Sequence, residues 1–125
     1  MLEQRQSVLI IDGSDDTREV LRTALERRGV EIFEAVRAEQ ALELARQHHP
    51  DLIVLDLEVE SDQPGVNLDG FHDELSAHST PMVLLGSARL NKSALPSGEF
   101  ISKPYHYGPL IRRIEVLLQE RQPGV

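Results

Sequence analysis

The stretch Asp51-Leu52-Ile53-Val54-Leu55-Asp56 constrains this chain more than any other. Four apolar residues, two of them β-branched, stand between two acids. The run is too short for a helix of its own. It reads as a strand buried on both faces, as a central strand of a parallel sheet is. His49-Pro50 ends the helical pattern before it. The strand closes on the carboxylate of Asp56, and in open α/β sheets chemistry collects at the carboxyl ends of strands. The groups that converge on Asp56 therefore decide what the chain can do.

Val8-Leu9-Ile10-Ile11-Asp12 repeats the pattern, an apolar strand ending in an acid. Gly13-Ser14 turns the chain. Ser14 is a plausible N-cap, and Asp15 and Asp16 suit the positive end of a helix dipole better than a metal. Val20, Leu21, Ala24 and Leu25 recur at helical spacing, which predicts a helix over 16–28 with Gly29 just past its end. A short strand follows over 30–34. The next helix covers 38–48, with Ala41, Leu42, Leu44 and Ala45 inward. Beyond Asp56, residues 58–69 read as a long polar loop, and helix resumes near Gly70 with Phe71 and Leu75. Pro81-Met82-Val83-Leu84-Leu85 is a fourth strand, closed by Gly86-Ser87. Asn91, Pro96 and Gly98 limit residues 88–98 to a turn or two of helix. Phe100-Ile101 opens a fifth strand that stops at Lys103-Pro104. A last helix spans 108–120, with Leu110, Ile111, Ile114, Leu117 and Leu118 inward.

Strands and helices alternating in this way imply a parallel sheet with helices on both faces. The expected fold is flavodoxin-like: an α/β doubly wound, five-stranded sheet of order 2-1-3-4-5, with the fourth helix short or absent. That order sets strands 1 and 3 side by side at the switch point. Asp12 then lies beside Asp56, and the ends of strands 4 and 5 bring Gly86-Ser87 and Lys103 to the same edge. The 125 residues read as one domain, 1–125, with a core of about 7–120.

Composition removes several function classes. There are no cysteines, hence no disulfide and no thiolate metal site. A cytoplasmic, reducing setting is expected. Apolar runs of about four residues fall far short of the ~20 that a membrane span needs. A net charge of −8 argues against nucleic-acid binding by this domain and suits a partner with a basic docking face. Few aromatics and an acidic first turn, Gly13-Ser14-Asp15-Asp16, leave a flavin or nucleotide site poorly supported. His48, His49, His72, His78 and His106 show no metal-ligand spacing.

Two carboxylates, a hydroxyl and a lysine at one sheet edge suit phosphoryl transfer. An aspartate can take a phosphoryl group as an acyl phosphate, and that reaction rests on positioning and charge neutralisation. A divalent ion held by the acids would screen the incoming phosphate.

The motifs Val8-Leu9-Ile10-Ile11-Asp12, Pro50-Asp51-Leu52-Ile53-Val54-Leu55-Asp56-Leu57, Asp69-Gly70, Pro81-Met82-Val83-Leu84-Leu85 and Lys103-Pro104, in this order, resemble the receiver domain of two-component response regulators. The resemblance covers about 8–118. It implies that Asp56 accepts a phosphoryl group from a phosphohistidine on a histidine kinase or phosphotransferase. It implies that Lys103 contacts the phosphate, and that Asp12, Asp56 and the backbone carbonyl of Glu58 hold Mg2+. Output would pass to a downstream protein target by contact, with a homodimer left open. Phe100 would be a reporter of activation, although its composition context reads as partly core. Any enzymatic activity would be at most self-catalysed phosphoryl transfer and hydrolysis.

The departures from the family pattern are specific. Gly13 stands where receivers carry a second acid that ligates the metal, so Mg2+ binding should be weakened. Counting from Pro81, the family's hydroxyl falls on Gly86, with Ser87 one residue later. Ser87 can serve if the strand ends or bulges there. Glu58, Glu60 and Asp62 are alternatives for the missing carboxylate, against a solvated loop. The loop after Asp56 is longer than usual and the segment from Ser87 to Lys103 shorter. The rival reading is a pseudo-receiver, an interaction module that is not phosphorylated.

Overall fold

Each of the five short apolar runs becomes a strand. The computed structural model describes residues 5–58, 80–87 and 98–121. The strands are β1 (Ser7–Ile11), β2 (Glu31–Ala35), β3 (Leu52–Asp56), β4 (Met82–Gly86) and β5 (Glu99–Ser102). They form one sheet of order β2-β1-β3-β4-β5, and every pair is parallel. The expected order is therefore present. All five residues of β1, β3 and β4 are buried, whereas the edge strands β2 and β5 are half-buried. Each fully buried Leu, Ile or Val side chain contributes about 1.5–3 kcal/mol before entropy is counted, so the three central strands anchor the fold.

Alternation along the strands divides the core into two layers. Val8, Ile10, Leu52, Val54, Val83 and Leu85 pack under α1 (Asp15–Glu26) and α3 (Tyr107–Arg121). Leu9, Ile11, Ile53, Leu55 and Leu84 pack under α2 (Ala38–His48). Phe100 is packed against this second layer, half-buried, as its composition context suggests.

Helix α1 begins where Ser14 accepts a hydrogen bond from the Thr17 amide at 3.2 Å. It ends with Gly29 N–H bonded to Glu26 O at 3.0 Å and Val30 N–H to Leu25 O at 3.2 Å. This is a Schellman closure, and Gly29 takes the left-handed φ of +82° that it requires. Leu21 and Leu25 are buried as expected, but Thr17 joins them, four residues before Leu21, while Val20 is half-buried. Thr17 Oγ1 meets Tyr107 Oη at 3.1 Å, which ties α1 to the first residue of α3.

Strand β4 starts one residue later than expected. Pro81 has no N–H to give, yet its carbonyl accepts from Ile53 N at 3.1 Å, so it flanks the ladder. The amino end of β4 also fixes Gly98: a Cβ there would stand 2.8 Å from the Met82 carbonyl oxygen. The long loop expected over 58–69, the helix near Gly70 and the short helix of 88–98 lie outside the described residues, apart from Glu58 and Gly98 at their ends.

Candidate phosphoryl-acceptor site

The register of the three central strands builds the site. Ile11 is paired with Leu55, so the next residues, Asp12 and Asp56, leave adjacent strands together. Asp56 is paired with Leu85, and Gly86 is paired with Ser102, the residue before Lys103. The Lys103 amide donates to the Gly86 carbonyl at 2.8 Å, which fixes where the lysine side chain begins. The Lys103–Pro104 peptide is cis.

These residues line an open cavity of about 460 Å³ at the carboxyl ends of the strands. Its walls carry three carboxylates, Asp12, Asp56 and Glu58, and two cationic side chains, Lys103 and Arg37. Asp12 and Asp56 are both buried. Lys103 Nζ donates to Asp56 Oδ1 at 2.9 Å and to Glu58 Oε2 at 3.1 Å. The Glu58 amide also donates to Asp56 Oδ1, at 3.0 Å. The turn after β1 is held in a similar way: Asp12 Oδ1 accepts from the Ser14 amide at 2.8 Å, and the Asp12 amide donates to Ala35 O at 3.1 Å. Among the described residues, Oδ2 of Asp12 and Oδ2 of Asp56 take no part in these bonds.

The electrostatics follow from this crowding. Burial pushes the Asp12 carboxyl up, and repulsion by Asp56 adds to it; the Ser14 amide, Lys103 and Arg18 pull the other way without overcoming it. For Lys103, burial opposes the charge, but its hydrogen bonds to Asp56 and Glu58 and their attraction outweigh that, and its pKa is raised. Burial also raises the Tyr105 phenol on the cavity wall.

This donor set fits Mg2+. Asp12 and Asp56 offer hard oxygens, and their mutual repulsion is what a divalent ion relieves. Mg2+ generally keeps several waters and takes only one or two carboxylates from a protein. At Gly13 no heavy atom lies within 4 Å of where a Cβ would stand, and its φ is not in the left-handed region. The missing acid is thus an open place in the wall rather than a backbone requirement.

Ser87 follows directly on β4, half-buried and with contacts of its own, but it is not among the residues lining the cavity. Sequence reasoning missed Arg37, Val36, Tyr105 and Thr17 as lining residues. Val36 and Arg37 follow the carboxyl end of β2, so the rule that exposed Asp56 would have found them as well.

A sequence model of the response regulator receiver domain matches residues 8–115. The chain is similar to the KDP operon transcriptional regulatory protein KdpE of Escherichia coli: 35% identical over 119 residues, 90% of this chain and 51% of KdpE. It is similar to the transcriptional regulatory protein SrrA of Staphylococcus aureus: 31% identical over 123 residues, 92% of this chain and 48% of SrrA. The chain thus spans about half the length of these curated relatives. A two-component response regulator from Clostridium difficile shares the fold with a TM-score of 0.78 at 22% identity, covering 95% of this chain and all 100% of that one. The Francisella response regulator 1452 receiver domain does so with a TM-score of 0.75 at 21% identity, covering 94% and 100%. With the two strand-end acids, the strand-5 lysine and the 2-1-3-4-5 sheet in place, the chain belongs to the response regulator receiver domain family.

Proposed function

We propose that Asp56 accepts a phosphoryl group from a phosphohistidine on a histidine kinase or phosphotransferase. The observation that carries this reading is the 2.9 Å contact of Lys103 Nζ with Asp56 Oδ1, beside Asp12, in an open cavity. An Asp56 carboxylate oxygen forms a bond to phosphorus as the P–N bond breaks; the electron pair stays on the imidazole nitrogen. Lys103 lies close enough to hold a phosphoryl oxygen once the acid is esterified. Asp12, Asp56 and the Glu58 carbonyl are the residues proposed to hold Mg2+, which when bound supplies the positive charge that offsets the phosphate. Ser87 is the candidate for a second phosphoryl contact, from a position just outside the cavity lining. The signal would leave by protein contact, in a cytoplasmic setting. No helix among the described residues is long and apolar enough to cross a membrane.

Incubation with acetyl phosphate and Mg2+ should add one phosphoryl mass, and Asp56→Asn should abolish it. The pseudo-receiver remains the second reading, favoured by Gly13 and by the register that sets Gly86 next to the partner of Asp56. No mass gain with any phosphodonor, in a folded domain, selects that second reading.

A further inference from the structure

Asp12 sits on a turn that lacks a side chain at its second position, so something else must hold it. Arg18, one turn into α1, does so from below. Its Nη1 donates to the Asp12 carbonyl oxygen at 2.6 Å. Its Nε lies 3.4 Å from Glu34 Oε1 on β2, and its Nη2 pairs with the Asp15 carboxylate. The Arg18 side chain is only 12% exposed, whereas Asp15 is 91% exposed. Glu34 is in turn held by Arg22 at 2.7 Å. A planar guanidinium can satisfy several acceptors at once in a fixed geometry, which an ammonium cannot.

We infer that Arg18 is a positioning residue for the metal-binding acid: it fixes the Asp12–Ser14 turn against β2 through the Asp12 carbonyl, and so sets the place of the Asp12 carboxylate in the cavity. The inference rests on the reading of Asp12 as an Mg2+ ligand. Asp12 is then fixed at three points. Its amide is bonded to Ala35 on β2, its carbonyl to Arg18, and its Oδ1 to the Ser14 amide. The first and second hold the backbone, and the third orients the carboxylate. Loss of Arg18 removes the second while leaving every cavity-lining side chain in the sequence. Arg22 shares Glu34 but makes no bond to Asp12 among those described, so it separates an ion-pair effect from a positioning effect.

The test compares Arg18→Met, Arg18→Lys and Arg22→Met with the parent chain. Two quantities are read: Mg2+ affinity by NMR titration, and hydrogen exchange of the Ser14 amide in the metal-free protein. Partners that orient a metal ligand typically contribute 10–100-fold in affinity, so Arg18→Met should weaken Mg2+ by about tenfold. The Ser14 amide should exchange faster in the same variant. Arg18→Lys should recover part of both, because an ammonium can still reach one acceptor. Arg22→Met should leave both at parent values. An Arg18→Met protein with parent affinity and parent Ser14 exchange overturns the inference, and so does an Arg22→Met protein that loses as much. If Arg18→Met does not fold, Glu34→Gln replaces it, with a smaller loss expected in both readouts. If the parent chain binds no Mg2+, the functional reading falls on that result alone. The hold of Arg18 on the turn is then decided by Ser14 exchange in the metal-free variants.

Discussion

Strand β3 carries an aspartate at each end, and the two ends behave differently. Asp51, just before the strand, is consumed by the backbone. Its Oδ2 accepts from the Ser7 amide at 2.8 Å, its own amide donates to Ser7 O at 2.9 Å, and Arg121 stands 4.0 Å away. Asp56, at the other end, is buried in a charged cavity, where Oδ1 accepts from Lys103 Nζ as well as from the Glu58 amide. The lesson concerns direction. At the amino end, the first amide of the neighbouring strand, Ser7 N–H, absorbs the carboxylate. At the carboxyl end the loops diverge and leave room, so a carboxylate there keeps one turn amide and also faces charged side chains across an open cavity. The residue type is the same; the end of the strand decides whether it builds or reacts.

The sharpest break of this comparison is chemical. Asp56→Asn should remove all phosphoryl incorporation from acetyl phosphate, whereas Asp51→Asn should leave it at parent level, read by intact mass. Equal loss in both would show that the fold, not the position, was being measured. The next effect is on the ion. Gly13→Asp restores an acid where the wall is open. It should tighten Mg2+ by on the order of tenfold, since oxygen sites are tuned over decades by the number of anionic ligands. It should also lower the stability of the metal-free protein, because a fourth carboxylate would then join Asp12, Asp56 and Glu58 around one cavity. Titration showing equal affinity in both forms would mean that another group already fills the place. Smaller still is Asp51→Ala. It leaves the Ser7 amide without its acceptor, at a cost of about 1 kcal/mol, the low end of the range because water reaches this side chain. Urea unfolding measures it, and phosphoryl uptake should not change.

How much of this was legible follows the same division. The pairing of Asp12 with Asp56 could be read because two apolar runs of equal kind each close on an acid, and the sheet order then fixes their neighbourhood. Asp51, by contrast, flanks the same run and reads as an equal candidate for chemistry until strand direction is considered. What could not be read depends on loop backbone. The Glu58 side chain reaches Lys103, so the lysine is shared between two carboxylates. Nothing in the spacing of residues 58 and 103 requires that. Thr17 was missed for another reason: its burial is made possible by Tyr107, ninety positions away, whose hydroxyl satisfies it. Hydropathy scores Thr17 by itself and Val20 above it, while the helix phase set by Leu21 and Leu25 decides otherwise.

The smallest expected effect concerns pH and Asp12. Its carboxyl is raised above the ordinary 3.8 by burial and by Asp56. The folded protein therefore binds this proton more tightly than the unfolded chain does. Between the two pKa values the native state holds more protons, so stability falls as pH rises. Asp12 thus favours the fold below its unfolded pKa, and that advantage is lost as pH climbs through its raised folded value. Asp12→Asn keeps an oxygen for the Ser14 amide and removes the charge. In the metal-free protein it should be more stable than the parent at neutral pH. The two curves should converge as pH falls into the range where Asp12 is protonated in the parent. Asp51→Asn, at the other end of the sheet, should show no such gain, because its carboxylate is satisfied by Ser7. Chemical denaturation from pH 3 to pH 7 without Mg2+ measures both. A parent protein whose stability advantage over Asp12→Asn grows with pH would mean that Asp12 is held by favourable contacts rather than crowded by Asp56, and the two edges of the sheet would then be alike in this respect.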